Sequence, residues 1–75
     1  MLVGELLKKY RTEKMKKQKQ WVGNVISPSF YAKVEKNIHR ITVDDLIELL
    51  HYNKISVLNF FSKLDRQEQS QNAFK

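Results

Sequence analysis

The chain has no cysteine, one proline, two glycines and no apolar run of membrane-spanning length. Without cysteine, neither disulfides nor thiolate metal sites can staple it, and the absence fits a reducing cytoplasm. No apolar stretch approaches the roughly 20 residues that cross a bilayer. The opening Met-Leu-Val-Gly-Glu lacks a charged segment followed by a long apolar one, so no secretory signal is expected in it. His39 and His51 stand apart with no cysteine near them, and the carboxylates lack zinc-ligand spacing, so no metal is expected. There is no Ser/His/Asp set, no paired-carboxylate site and no glycine-rich phosphate loop. A chain of 75 residues without a metal also lacks the depth for a shielded pocket. Neither enzymatic activity nor a cofactor is expected.

What is there is one small domain with a strong charge asymmetry. The length allows a single domain, and a core of this size supplies only a few kcal/mol. The net charge is +6, which points to an anionic partner. Residues 1–40 hold ten Lys/Arg against three Glu, or +7, whereas residues 41–75 hold four Lys/Arg against five Asp/Glu, or −1. A basic half joined to a near-neutral half reads as a binding surface mounted on a scaffold. The plainer alternative is a solvated basic surface with no partner.

Apolar residues recur at three- and four-residue spacing, which predicts an all-α fold of five helices. The first runs from about Leu2 to Met15, with Val3, Leu6, Leu7 and Tyr10 as its stripe. Lys14, Lys16, Lys17 and Lys19 follow, as a solvated loop or a phosphate-facing patch. A short second helix covers Gln18 to Asn24, with Trp21 and Val22 inward. Gly23 and Asn24 then permit a tight turn, since both tolerate positive φ. Ser27 is a good N-cap for the third helix, and Pro28 suits its first position, where the missing N–H costs nothing. Tyr31 and Val34 point to the core. Asn37 marks the stop, as the second choice after glycine for the left-handed position. Thr42-Val43-Asp44-Asp45 opens the fourth helix with a capping-box arrangement in which Asp45 replaces the usual Glu. Leu46, Ile47, Leu49 and Leu50 form its buried side. The fifth helix begins after Ser56 and carries Val57, Phe60, Phe61 and Leu64. From Asp65 the composition turns polar. Residues 1–64 are expected to form the domain, and 65–75 a frayed helix end or the start of a linker.

Two short helices joined by a tight turn and backed by three others suggest a helix-turn-helix, whose second helix enters the major groove of DNA. The stretch Trp21-Val22-Gly23-Asn24-Val25-Ile26-Ser27-Pro28-Ser29-Phe30-Tyr31-Ala32-Lys33-Val34-Glu35-Lys36-Asn37 resembles the helix-turn-helix core of phage-repressor-like (XRE) domains, most of all the Rgg-type branch of bacterial regulators. Val22 and Ser27 have that branch's spacing. Ile41-Thr42, Leu46-Ile47-Glu48-Leu49-Leu50 and Ile55-Ser56-Val57-Leu58-Asn59-Phe60 follow its closing pattern. The resemblance covers roughly residues 4 to 61. No single motif within it is highly specific; the whole in register is fairly specific. The chain departs from the pattern at Val22 for alanine, Trp21 for leucine, Lys17 for a Ser/Thr cap, Asn37 for glycine and Asn53 for a buried leucine.

The resemblance implies a compact five-helix lambda-repressor-like domain that binds double-stranded DNA in the cytoplasm and acts as a homodimer in the full-length protein. Regulators of this type carry a further C-terminal helical-repeat domain that dimerises and often binds a short signalling peptide. The chain is thus expected to be a fragment or isolated domain. In such domains a helix-1 arginine pairs with the glutamate ending the recognition helix, and Arg11 and Glu35 match those positions as a structural pair. Ser29, Phe30 and Lys33 are the candidates for base-edge contact, although Phe30 can equally close the core. Pro28 can touch DNA by van der Waals contact or serve only to start its helix. Gln18 and Ser27 are candidates for phosphate contact. Lys17, Lys19, Lys36, His39 and Arg40 flank the groove-facing helix and can neutralise phosphates. The competing class is a protein-interaction module, an anti-repressor or adaptor, burying Phe60, Phe61 and Phe74 against a partner. RNA binding is weaker, because aromatics are not clustered on strands as a stacking platform requires.

Overall fold

Three helices of this chain end in the same left-handed turn, and none of them uses glycine to do it. The computed structural model describes the backbone of residues 2–72 and the side chains of residues 2–64. It contains α1 (Val3–Glu13), α2 (Gln18–Val22), α3 (Pro28–Glu35), α4 (Val43–Tyr52) and α5 (Val57–Asn72), with no strand among the described residues. Met15, Asn37 and Lys54 have φ of 56°, 63° and 59° and lie just past the ends of α1, α3 and α4. Each end is closed by a pair of backbone hydrogen bonds, for example Asn37 N to Val34 O at 3.0 Å and Ile38 N to Lys33 O at 2.9 Å. This is the Schellman arrangement, which satisfies carbonyls that the helix itself leaves free.

The predicted stop at Asn37 is observed. The first helix, expected to reach Met15, ends two residues earlier because Met15 itself adopts the left-handed conformation. The second ends at Val22 rather than Asn24. Gly23 alone supplies the positive φ there, at 53° with ψ −123°, and Asn24 does not share it. A Cβ on Gly23 would also meet the outer end of the Tyr52 ring, a half-exposed side chain that would have to swing aside, so glycine is required here first for its conformation.

The helix starts follow the sequence closely. Ser27 Oγ accepts the Phe30 amide at 3.2 Å, Thr42 Oγ1 accepts the Asp45 amide at 3.1 Å, and Ser56 Oγ accepts the Asn59 amide at 3.2 Å. Only half of the expected capping box forms at Thr42. Among the described hydrogen bonds none returns from the Asp45 carboxylate, which is one methylene shorter than glutamate.

Every helix contributes to one core: Leu6 and Leu7, Trp21 and Val22, Tyr31 and Val34, Leu46, Leu49 and Leu50, and Phe60, joined by Ile55 from the α4–α5 turn. Both α1 and α2 pack on α3, while α5 closes over α1 and α4. At Gly4 an added Cβ would collide with the Val34 carbonyl, so α1 meets the end of α3 backbone to backbone. Trp21 Nε1 and the Tyr31 hydroxyl are buried without a hydrogen-bond partner. Phe60 is fully buried, which removes it from the interaction patch expected of Phe60, Phe61 and Phe74. Phe61 stays partly exposed, and Phe74 lies outside the described residues. So do the side chains of the polar tail, 65–75, whose backbone continues α5 as far as Asn72. Among the described residues no helix is long and apolar enough to cross a membrane.

Candidate nucleic-acid interface

Packing fixes which way α3 faces. Tyr31, Val34 and Glu35 are buried, while Ser27, Pro28, Ser29, Lys33 and Lys36 are exposed. Ser29, Lys33 and Lys36 lie four and three residues apart, so they share one face. Ser27, Pro28 and Ser29, which open α3, are therefore free of the fold, and one outward stripe carries a hydroxyl and two ammonium groups.

The segment that carries that stripe is strongly basic. From Lys14 to Arg40 the sequence holds seven Lys/Arg and a single carboxylate, Glu35. Glu35 is buried, so it does not offset the surface charge. Lys17, Lys19, Lys36, His39 and Arg40 are all exposed, as expected of residues that flank the face.

Two of the expected contact residues, Gln18 and Phe30, are drawn part-way into the fold. Gln18 is half-buried, and its Nε2 donates to Glu35 Oε1 at 3.1 Å. One hydrogen of its side-chain amide is thus tied to Glu35. Phe30 is half-buried against the core, and its ring stacks on His39 with centroids 5.4 Å apart and planes 8° apart. Of its two readings, closing the core is the one observed. The stack ties His39, in the α3–α4 segment, to the first turn of α3.

Glu35 is the hub that orients α3. Arg11 reaches it from α1 with Nε at 2.6 Å from Oε2 and Nη2 at 3.0 Å from Oε1. The pair expected from the resemblance is therefore present. Burial opposes ionisation of Glu35, but the hydrogen bonds from Arg11 and Gln18 outweigh it and hold the carboxyl below its ordinary range. Arg11 is held more firmly protonated, first by the hydrogen bonds to Glu35. The Tyr31 phenol is pushed well up by burial, with Glu35 adding to the effect. No hydrogen bond of good geometry relieves that hydroxyl.

Sequence reasoning missed one polar cluster. Lys16 is half-buried, and its Nζ donates to Asn53 Oδ1 at 2.9 Å. Asn53 Nδ2 donates to Trp21 O at 2.8 Å and to Leu49 O at 2.9 Å. A polar residue at a position where the resemblance calls for buried leucine was the available signal. Its partners could not be read from spacing, since they come from three separate segments.

In comparisons with known proteins, no family model matches the chain, and no curated protein or solved structure shows significant similarity to it.

Proposed function

We propose that this chain binds double-stranded DNA sequence-specifically, as the DNA-binding domain of a bacterial transcription regulator of the Rgg-like XRE type. In this reading α2 and α3 form a helix-turn-helix within a lambda-repressor-like fold, and α3 lies in the major groove. Such a domain works in the cytoplasm, and in a full-length regulator it works as a homodimer. The observation that carries the reading is the exposed opening turn of α3, set in a surface where every exposed charge from Lys14 to Arg40 is positive. An α-helix with its side chains is about 10–12 Å across, which a major groove about 12 Å wide admits.

Within that reading Ser29 and Lys33 meet base edges. Lysine can donate to guanine O6 or N7, and serine bonds either kind of edge. Lys17, Lys19, Lys36 and Arg40 neutralise phosphates, His39 can donate a ring N–H to one, and Ser27 offers its hydroxyl to a phosphate beside its capping role. Pro28 supplies van der Waals contact. Four phosphate contacts give a slope of about −4 for log K against log salt. Selection of bound sequences from random duplex DNA at a stated salt concentration tests the proposal. A recovered consensus supports it. A chain that retains all sequences equally, with no salt slope, counts against it.

One observation favours a second reading, a protein-interaction module. A cleft of about 480 Å³ lies between the start of α1, the α3–α4 segment and α5, lined by Leu2, Val43, Leu46, Phe61 and Arg40 among others. Binding through that cleft would leave K19A without effect, whereas DNA binding would not.

A further inference from the structure

Resting on that DNA-binding reading, we propose that Lys16 and Asn53 form a positioning latch that holds both ends of α2 to one carboxamide, so that Lys16 sets the placement of the DNA-facing helices instead of neutralising a phosphate.

Five residues are too few to hold a helix on their own, and the last carbonyls of any helix lack partners within it. Asn53, the C-cap of α4, makes up that deficit at both ends of α2. Its Nδ2 takes the carbonyl of Trp21, the next-to-last residue of α2, at 2.8 Å. Its Oδ1 takes the ammonium of Lys16, the residue just before the N-cap Lys17, at 2.9 Å. The second Nδ2 hydrogen binds Leu49 O at 2.9 Å and fixes the amide to α4. Asn53 is only 3% exposed, so an unpaired amide there would lose its hydration with nothing in return. The partners also dictate the side chain. An ammonium only donates and a carbonyl only accepts, so one group must accept once and donate twice. Aspartate lacks the donors and leucine lacks both functions.

The latch joins the Arg11–Glu35 pair directly. Arg11 Nη1 donates to the Lys16 carbonyl at 2.9 Å. One line of hydrogen bonds thus runs from the end of α4, through the segment before α2, to α1 and on to the last residue of α3. Lys16 is the one cation between Lys14 and Arg40 that is drawn into the fold; the other six Lys/Arg there are exposed. Its ammonium is held on Asn53 instead of being presented to a phosphate, and the salt dependence of DNA binding reads that difference.

The test compares the full chain with K16M, N53L and K19A, each bound to its selected duplex and to random duplex over a series of salt concentrations. K16M and N53L are expected to weaken the selected duplex about tenfold, within the range of one lost base contact. They should change random-duplex affinity by less than about twofold and leave the salt slope unaltered. K19A should weaken both duplexes and reduce the slope by about 0.9. A K16M slope that falls as far as that of K19A overturns the latch, as does an equal loss on both duplexes. Urea unfolding, followed by emission of the single tryptophan, Trp21, gives a readout that needs no DNA. The K16M/N53L double variant should depart from the product of the single effects by about threefold or more in its unfolding constant. Independent effects overturn the latch. A chain that selects no duplex overturns the DNA-binding reading alone, and the coupling measurement then decides the latch.

Discussion

Arg11 grips both carboxylate oxygens of Glu35, at 2.6 and 3.0 Å, and so ties the last turn of α1 to the last residue of α3. Little solvent reaches the pair, with side-chain exposures of 14% and 4%. Removing the cation leaves a buried carboxylate with Gln18 as its remaining hydrogen-bond donor. Arg11→Met should therefore destabilise the domain by about 3 kcal/mol, the range for breaking a buried pair. Urea denaturation measures this. A loss below about 1 kcal/mol would place the pair with exposed ones, whose contribution is small.

The same pair makes stability fall in acid. Glu35 ionises below the ordinary value of 4.5 in the folded chain. The unfolded chain therefore binds the proton more readily, and stability rises with pH between the two values. The contribution is fully present above the ordinary value and is lost as pH falls through the depressed one. In Arg11→Met the hydrogen bonds that outweighed burial are largely gone, so burial governs and the carboxyl moves up. A folded carboxyl above its unfolded value binds the proton more readily than the unfolded chain, so the Glu35 contribution changes sign: the variant, less stable at neutral pH, should hold or gain stability from this group as pH falls through the window in which the wild type loses it. Unfolding monitored against pH decides it, and coincident profiles would remove Glu35 from the acid transition.

Gly23 carries two separable demands. Its φ of 53° with ψ of −123° suits no L side chain, and the ring of Tyr52 fills the space a Cβ needs. Gly23→Ala should cost about 2–4 kcal/mol from backbone strain and overlap together. Adding Tyr52→Ala should recover the overlap and leave the strain, so the double variant should lose less than the two single losses added together. Thermal unfolding of the three variants checks this. A double variant no better than strict additivity would mean that the ring moves aside freely.

The helices were legible because their signals are local. Ser27, Thr42 and Ser56 each cap the helix that their position announces, and the apolar spacing put Leu6, Leu7, Trp21, Val22, Tyr31, Val34, Leu46, Leu49 and Leu50 inside. The stops were harder. Asn37 has a side chain that tolerates the left-handed region, but Met15 and Lys54 do not advertise it. There the buried Ile55, and the neighbouring helices that must be met, select the conformation. Exposure of the α3 stripe followed from phase alone. The inward turn of Gln18 did not, since it depends on where α2 lies against α3, and Asn53 gained its meaning only once Lys16, Trp21 and Leu49 were seen to converge on it.

Lys33 and Lys19 separate reading from holding. Both are exposed, but they stand at different places relative to α3. Lys33 shares the outward stripe with Ser29 and Lys36, where an ammonium can reach a base edge in the groove. Lys19 lies in α2, which crosses the backbone in the proposed docking. Lys33→Ala should relax base preference at one position and cost about 1–3 kcal/mol on the selected duplex, with little change on random DNA. Lys19→Ala should weaken all duplexes alike and lower the salt slope by about 0.9. Repeating the sequence selection with each variant distinguishes them, because a lost base contact alters the recovered consensus and a lost phosphate contact does not. If the two variants shift consensus and slope in the same way, α3 is not the helix that reads the bases, and the exposed turn at Ser27 needs another explanation.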